Sequence, residues 1–189
     1  AIFKATESYV RCLDRNKKGK LVTRKIMTEE NINDGIIQCG NNLFITAGND
    51  FTNKEYNVAL KKYKLFLEIL VLDKNDVFKR QNITHNDIYY NMAITSRMME
   101  DYDNQLIYLT KLIDLNTNNP QVYVDISNIY SNKGDLEKAL EYIKLGQEQF
   151  SSEIKLVNSE IDLFMKMGKS NQEIIKKLNE AIELDDLNE

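Results

Sequence analysis

Apolar and small residues recur along this chain at a fixed spacing of 34 residues. The fourth position of three successive blocks holds Tyr89, Tyr123 and Val157. Inside each block, two apolar runs with helical spacing flank a short polar turn. A fixed period of about 20 to 50 residues is typical of repeat architectures, in which each unit packs on its neighbours. The blocks 86–119, 120–153 and 154–188 are therefore predicted to form stacked helix hairpins.

The second halves of the three blocks follow the same register. Corresponding positions hold Gln105, Ala139 and Ile174, then Leu109, Ile143 and Leu178, then Leu112, Gly146 and Ala181. The turns between the halves lie at Glu100-Asp101, Gly134-Asp135 and Gly168-Lys169, and the third block needs one inserted residue near its turn. We expect at least seven helices in the chain. The residues expected to be buried together are Tyr123, Ile126, Tyr130, Ala139 and Ile143.

At these positions the chain resembles the tetratricopeptide repeat (TPR), and block 120–153 fits that pattern best. The matching residues are Tyr123, Ile126, Ser127, Tyr130, Gly134, Asp135, Ala139, Ile143 and Gly146. The resemblance implies an all-α fold, a right-handed superhelix of antiparallel helix hairpins. Two positions depart from the pattern. Gln105 stands where alanine is usual, and Glu160 stands at an apolar position, which suggests that the first helix of the third block is rotated or out of register.

The same pattern returns upstream in a stretched form. Ile36, Cys39, Gly40 and Leu43 suit a first helix, and Tyr56, Ala59, Tyr63, Phe66 and Ile69 suit a second, with about seven additional residues around Gly48. We therefore interpret 1–189 as one TPR-like domain. It consists of a leading amphipathic helix and a basic loop (1–29), a degenerate repeat at 30–71 with a long connection to residue 85 that is predicted to be a surface loop, and the units 86–119, 120–153 and 154–188.

The array is predicted to end near Leu184, followed by a frayed acidic tail at 185–189. In the last helix, Ile174, Ile175, Leu178, Ala181 and Ile182 form one apolar stripe opposite a polar face. A terminal unit needs a polar outer side. We expect Lys176, Lys177, Asn179, Glu180 and Glu183 to provide it.

The resemblance also implies where a partner binds, because the first helices of successive TPR units line a concave face. The positions that would face the ligand hold Asn41, Tyr90, Asn91, Ile94, Arg97, Met98, Val124, Asp125, Asn128, Asn132, Asn158 and Asp162. Asparagine can both donate to and accept from a peptide backbone, so this set suits an extended peptide. The function expected is a non-catalytic scaffold that binds a peptide or protein segment.

The charge distribution keeps two other functions open. Seven lysine or arginine residues and a single acid lie in the segment 11–27, which could bind nucleic acid or an anionic surface. The chain as a whole has a net charge of −4, whereas nucleic-acid binders are usually basic, so no nucleic acid is expected. Glycan binding at the cell envelope is the other alternative, although the chain lacks tryptophan, the best stacking residue for sugars.

The remaining candidates for chemistry indicate no metal, cofactor or catalytic residue. His85 is the only histidine, and it follows Thr84, whose spacing to Asp87 is that of a helix capping box. Cys12 and Cys39 have no metal-binding spacing, and a disulfide between them stays open. No run of 18 apolar residues is present, so no transmembrane segment is expected.

The compartment and the source are indicated by composition, by the basic turn around residues 16–20, by the stretched first repeat and by the first residue. The richness in Asn, Lys and Ile is similar to that of TPR proteins of Bacteroidetes, many of which carry an export signal. Residue 1 is alanine with no preceding methionine. We expect a location in the cell envelope, with the cytoplasm as the alternative.

Overall fold

The computed structural model describes residues 2–12 and 28–186, and these residues form ten α-helices. Their bounds are Ile2–Cys12 (α1), Glu29–Thr52 (α2), Tyr56–Leu72 (α3), Val77–Arg80 (α4), His85–Met98 (α5), Tyr102–Asp114 (α6), Gln121–Asn132 (α7), Leu136–Gln149 (α8), Ile154–Lys166 (α9) and Asn171–Asp186 (α10). Neither described stretch contains a β-strand. The predicted all-α fold class is confirmed.

Across 2–12 and 28–186, no helix is both long enough and apolar enough to cross a membrane.

The chain divides into two compact units, Ala1–Gln105 and Leu106–Glu189. In the first unit, α2 packs against α1 and α3, and α3 also packs against α5. Gly35 of α2 lets α1 come close, because a Cβ atom at this position would overlap the ring of Tyr9. The leading helix predicted from the sequence is therefore present as α1.

Helices α2 and α3 cover most of the stretch predicted to be a degenerate repeat. The additional residues around Gly48 do not form a loop, because they continue α2 to Thr52 and give it 24 residues. Asp50 in this added turn forms an ion pair with Lys62 of α3, with 2.6 Å between Lys62 Nζ and Asp50 Oδ2. Burial, together with the nearby Asp50 charge, raises the pKa of Tyr63. The extended helix thus gains a polar contact with its neighbour.

The connection at residues 72–85 is a surface loop only in part, since it contains the short helix α4. Phe78 in this helix is fully buried, and its ring packs edge to face on Phe66 with centroids 4.9 Å apart. Gly40 makes room for that ring, because a Cβ atom there would lie 2.5 Å from Phe78 Cζ. A single aromatic residue in a charged stretch has no periodic signal, yet its burial contributes about 1.5–3 kcal/mol. The prediction missed α4 for this reason.

Three hairpin turns have the same geometry at positions one repeat apart. Glu100, Gly134 and Gly168 all have positive φ, at 57°, 82° and 67°. In each turn the next residue donates its backbone N–H to the carbonyl five residues earlier, over 2.9 to 3.0 Å. This is the hydrogen bond of a Schellman motif, which ends a helix with a left-handed residue. The second helices begin at residues 102, 136 and 171, which confirms the one-residue insertion in the third block.

The core of the second unit forms where α7, α8 and α9 meet. Tyr123, Ala139 and Ile143 are buried in one cluster with Leu156 and Leu163 of α9. The partly buried Tyr130 packs against this cluster, and Ile126 is completely buried. None of the five residues expected in the core is mostly exposed, so the predicted register holds.

Glu160 does not mark a rotated helix, contrary to the interpretation from the sequence. Val157 and Ile161 of α9 are buried as the register predicts, and Glu160 is only 2% exposed. Its Oε2 atom lies 3.0 Å from Nζ of Lys177 in α10 and accepts a hydrogen bond from Nε2 of Gln147 in α8 over 2.9 Å. Buried charges are tolerated when they are paired and hydrogen-bonded. The helix keeps its register because its acidic residue has partners on both sides.

Helix α10 faces α9 with a different side than the sequence predicts. Ile174 and Ala181 pack with Val157 and Ile161 of α9, as expected for part of the apolar stripe. Ile175, Leu178 and Ile182 are 55%, 43% and 59% exposed. Lys177, predicted to lie on the solvated side, is drawn towards α9 by Glu160. Lys176, Asn179 and Glu183 are exposed as expected, but the outer side also carries the three exposed apolar residues and is therefore not uniformly polar. The helix continues to Asp186, slightly beyond the predicted end, and residues 187–189 of the expected tail lie outside the described residues.

Candidate functional site

The first helix of the best-matching repeat is positioned by hydrogen bonds before its first turn. Asn119 Oδ1 accepts from the backbone N–H of Gln121, and Asn119 itself donates its N–H to Thr117 Oγ1. Pro120 stands at the N-cap of α7, where a missing N–H costs little. Gln149 at the end of α8 then fixes this turn, because its Nε2 atom donates to the Thr117 carbonyl over 2.8 Å.

Tyr123 joins this network from within the core. Its hydroxyl donates to Gln149 Oε1 over 2.6 Å, so Gln149 links the turn before α7 to α7 itself. Burial raises the pKa of Tyr123, so its hydroxyl remains a hydrogen-bond donor at neutral pH. The direction in which α7 presents its outer residues is thus set by contacts on its inner side.

Helices α7 and α9, the first helices of two successive repeats, lie in contact within the second unit. Their last turns are joined by a hydrogen bond from Lys166 Nζ to Ser131 Oγ over 3.0 Å. Four predicted site residues on these helices are exposed, namely Asn128, Asn132, Asn158 and Asp162. We call these four residues the first-helix face. In the part of the chain that the structure describes, the three asparagine side chains on it make no hydrogen bond to other residues.

The two other predicted residues of α7 are less accessible. Asp125 is almost fully buried, and its Oδ1 atom accepts a hydrogen bond from Gln121 Nε2 over 2.9 Å. Val124 is half-buried and packs against the core cluster of this unit. The carboxylate that faces solvent on this side is therefore Asp162 rather than Asp125.

The first unit carries the other half of the predicted site. Arg97 and Met98 at the end of α5 are exposed. The remaining residues are half-buried, and they are Asn41 of α2 with Tyr90, Asn91 and Ile94 of α5. Thr84 and Asp87 form the predicted capping box at the start of α5, with 2.8 Å between the Thr84 backbone N–H and Asp87 Oδ2. His85 is the first residue of that helix and is exposed, as expected for a helix start.

Three residues near the first-helix face were missing from the set predicted from the sequence. Ser131, Met165 and Lys166 occupy the twelfth or thirteenth positions of their blocks, which the family pattern also directs at the ligand. Met165 is 54% exposed, and Lys166 contacts Ser131 as described above. Applying the position rule to every block would have found all three. They add an apolar side chain and a cation to an otherwise amide-rich surface.

A cluster of aromatic and cationic side chains lies next to the turn that joins α7 and α8. The rings of Tyr130 and Tyr142 stack with centroids 5.5 Å apart, and Lys138 Nζ lies 4.6 Å from the centroid of Tyr130. A hydrogen bond with Tyr130 is the main cause that raises the pKa of Lys138, while burial raises the pKa of Tyr142. A cation over an aromatic face adds an attraction that helps to hold the two helices together.

The basic segment 11–27 falls almost entirely outside the described residues. Arg11, at its beginning, is exposed at the end of α1. Within 2–12 and 28–186, no group of three or more His, Cys, Asp or Glu side chains could hold a metal ion. Both cysteines are free, and Cys39 is buried in α2 as the repeat pattern predicts.

Residues 120–148, which cover most of α7 and α8, match the family model of the tetratricopeptide repeat. This is the block that fits the repeat pattern best. The chain therefore contains a TPR motif, and the resemblance inferred from the sequence is confirmed. No curated protein sequence matches the chain.

Solved TPR structures share the fold over most of the chain. A crystal structure of MamA has a TM-score of 0.61 and 15% identity, and the match covers 84% of this chain and 90% of that one. A second MamA structure has a TM-score of 0.59 and 18% identity, with 97% and 93% covered. YrrB, described as a TPR protein with an unusual peptide-binding site, has a TM-score of 0.56 and 14% identity, with 82% and 77% covered. At such identities the likeness concerns the fold.

Proposed function

We propose that the chain is a non-catalytic scaffold that binds an extended peptide or protein segment on its first helices. The main support for this proposal is the exposed first-helix face of the second unit. There, two neighbouring first helices present asparagine side chains that the described part of the chain leaves without hydrogen bonds. The fold it shares with TPR proteins, one of which is described by its peptide-binding site, supports the same function.

The chemistry of this face suits a peptide backbone. Each asparagine offers two donors and an acceptor, so a row of them can pair with successive N–H and C=O groups of an extended chain. Asp162 would favour a basic side chain of the ligand, while Met165 supplies apolar contact. The predicted partner-binding residues of α2 and α5 in the first unit stay a prediction from the sequence.

Selection from a library of random peptides tests this function for a partner of any sequence. Peptides enriched on the immobilised wild-type chain are synthesised, and their affinities are measured by isothermal titration calorimetry. For the double variant Asn128→Ala/Asn158→Ala we expect an affinity lower by roughly fivefold to 150-fold, since two hydrogen-bonding side chains each contribute about 0.5–1.5 kcal/mol.

The matched control is Glu141→Ala/Lys144→Ala, which removes two exposed polar side chains from α8, a second helix. This control should bind the selected peptides like the wild type. Failure to enrich any peptide contradicts the proposal. Equal affinity of the wild type and the asparagine variant would place the binding surface elsewhere. Thermal melting of all variants checks that the fold is retained.

Binding of nucleic acid or an anionic surface through residues 11–27 stays a prediction from the sequence, as does glycan binding. Neutralising the stretch Lys17 to Lys25 tests the first of these alternatives. If peptide or protein capture depended on those charges and not on the asparagines, the electrostatic hypothesis would replace the proposed one.

A further inference from the structure

A pocket of about 320 Å³ lies in the second unit, between the C-terminal ends of α6 and α8 and beside α7. The residues that line it are Ile113, Asn116, Tyr123, Leu145, Glu148 and Gln149. We call it the α6–α8 pocket. Its volume is within the range of small-ligand sites, about 300–1,000 Å³. None of its lining residues belongs to the first-helix face, so the pocket is a separate candidate site.

The repeat register explains why space remains at this junction. One repeat later, the position of Asn116 is taken by Phe150, whose large ring packs against the core cluster of the unit. Asn116 is short and exposed, and its φ of 52° is the left-handed conformation that asparagine tolerates. Less side-chain volume therefore fills the space beside Tyr123, and Leu145 stays 41% exposed.

The polar groups that line the pocket offer mainly hydrogen-bond acceptors. The Tyr123 hydroxyl uses its only proton on Gln149 Oε1, so towards any further group it can only accept. The Glu148 carboxylate is also an acceptor, and it makes no hydrogen bond or ion pair with other residues in the part of the chain that the structure describes. Asn116 adds an amide that can both donate and accept. A ligand rich in hydrogen-bond donors is therefore favoured.

The charge of the pocket favours a cation. Glu148 carries the charge among the residues that line it. Lys111 and Asp114, which lie close to this site in the sequence, pair with each other. Lys144 precedes Glu148 by one turn of α8, but it does not line the pocket and forms no ion pair within the described residues. The carboxylate is therefore available to a positively charged ligand.

We propose that the α6–α8 pocket binds an arginine side chain presented by a partner protein. A guanidinium group has five N–H donors and no acceptor, and its planar fork pairs with a carboxylate such as Glu148 through two parallel hydrogen bonds. The aliphatic part of the same side chain packs on Ile113 and Leu145, as arginine stems do on apolar surface. Lysine fits less well, because its compact ammonium group is strongly hydrated and has three donors.

An NMR titration of the isotope-labelled chain tests this proposal independently of the first-helix face. The probe is Nα-acetyl-arginine N-methylamide, whose two peptide groups imitate a partner chain. It should cause saturable shifts of the backbone amides of the residues that line the pocket. The citrulline derivative has nearly the same shape but no charge, and it should cause no saturable shift at the same concentrations. The lysine derivative should bind more weakly than the arginine derivative.

Substitution of the carboxylate locates the binding site. Glu148→Gln keeps the shape of the side chain and should lower the affinity for the arginine derivative roughly two- to fivefold, the size expected for an exposed ion pair. The matched control, Glu141→Gln, removes an exposed acid of the same helix that does not line the pocket, and it should bind like the wild type. Both positions are exposed, so both variants should retain the wild-type melting temperature.

Several results would overturn the proposal. One is the absence of saturable shifts at the pocket up to the solubility limit of the arginine derivative. Another is equal binding of the citrulline or the lysine derivative, since the guanidinium group would then not be recognised. Equal affinity of Glu148→Gln and the wild type, or an equal loss in both glutamine variants, would show that the Glu148 carboxylate does not hold the ligand.

Discussion

Replacing glycine by alanine is expected to have opposite effects on stability at two helical positions of this chain. A Cβ atom at Gly146 would lie 2.9 Å from Tyr123 Cβ, an atom that cannot move without the backbone of α7. At Gly48 of α2 an added Cβ atom meets nothing within 4 Å. Gly146→Ala should therefore destabilise the protein by about 1–3 kcal/mol through overpacking. Gly48→Ala should stabilise it by about 0.5–1 kcal/mol, the ordinary gain in helix propensity.

Urea denaturation of both variants measures this difference. The two substitutions are chemically identical, so an equal effect on the free energy of unfolding would mean that α7 and α8 do not approach as closely as the structure shows.

Ala139 has no exposed surface and lies where α7, α8 and α9 meet. A larger side chain there must displace Tyr123 or Leu156, so Ala139→Leu is expected to cost about 1–3 kcal/mol. Glu141→Leu is the control, because it adds a leucine at an exposed position of the same helix. Thermal melting should show a clear loss for the first variant and little change for the second. An unchanged melting temperature for Ala139→Leu would contradict the packing of this hairpin.

At the scale of helices, one buried ionic contact connects α8, α9 and α10. Removing only the cation, with Lys177→Met, leaves the carboxylate of Glu160 buried beside Gln147 alone, which should cost about 3 kcal/mol. Replacing both charged residues, with Glu160→Leu/Lys177→Met, should restore most of that loss, because an apolar pair of similar volume is often as stable as a buried ion pair.

The exposed pair of Lys111 and Asp114 is the control for this experiment. Lys111→Met should change the free energy of unfolding by less than about 1 kcal/mol. A double variant no more stable than Lys177→Met would show that the ionic contact has a role that apolar packing cannot replace.

The contribution of Lys177 should also depend on pH. Burial lowers its pKa, but the hydrogen bonds to Glu180 and Glu160 outweigh this, so the pKa lies above the usual 10.5. A lysine whose pKa is raised by folding stabilises the protein below its unfolded pKa, and this stabilisation is lost as the pH rises through the folded value. Between neutral pH and about pH 10, the stability difference between the wild type and Lys177→Met should be constant, and it should decrease above about pH 10. A difference that stayed unchanged well above that pH would contradict the role given to the Lys177 ammonium group.

The sequence predicted the helix hairpins because their signal is periodic. Residues such as Tyr123 and Ile143 recur at fixed spacing, and the turns at Gly134 and Gly168 mark the helix ends. Helix α4 and the continuation of α2 through Gly48 were missed, because the contacts that accompany them, such as those of Phe78 and Asp50, are tertiary. Such contacts override local propensity and leave no pattern in the sequence.

At the scale of the whole molecule, the sequence predicts which positions belong to the candidate site. It does not predict which side chains at those positions are exposed to solvent. The repeat pattern directs Asp125 and Asp162 at the ligand with equal weight. The structure buries the first against Gln121 and exposes the second, because a side chain one helical turn away can capture it. The outer side of α10 was predicted incorrectly for a similar reason, since Lys177 pairs with the buried Glu160 and three residues of the apolar stripe, Ile175, Leu178 and Ile182, stay exposed.

Site-specific photo-crosslinking in extracts of the native host tests most directly whether the first-helix face binds a protein segment. A photoreactive phenylalanine analogue at position 128 lies on that face, and the same group at the exposed position 144 lies on α8. We predict a discrete adduct from position 128 that is lost when Asn158 is also changed to alanine, and none from position 144. An adduct that forms equally from both positions, or only from position 144, would contradict binding at the first helices.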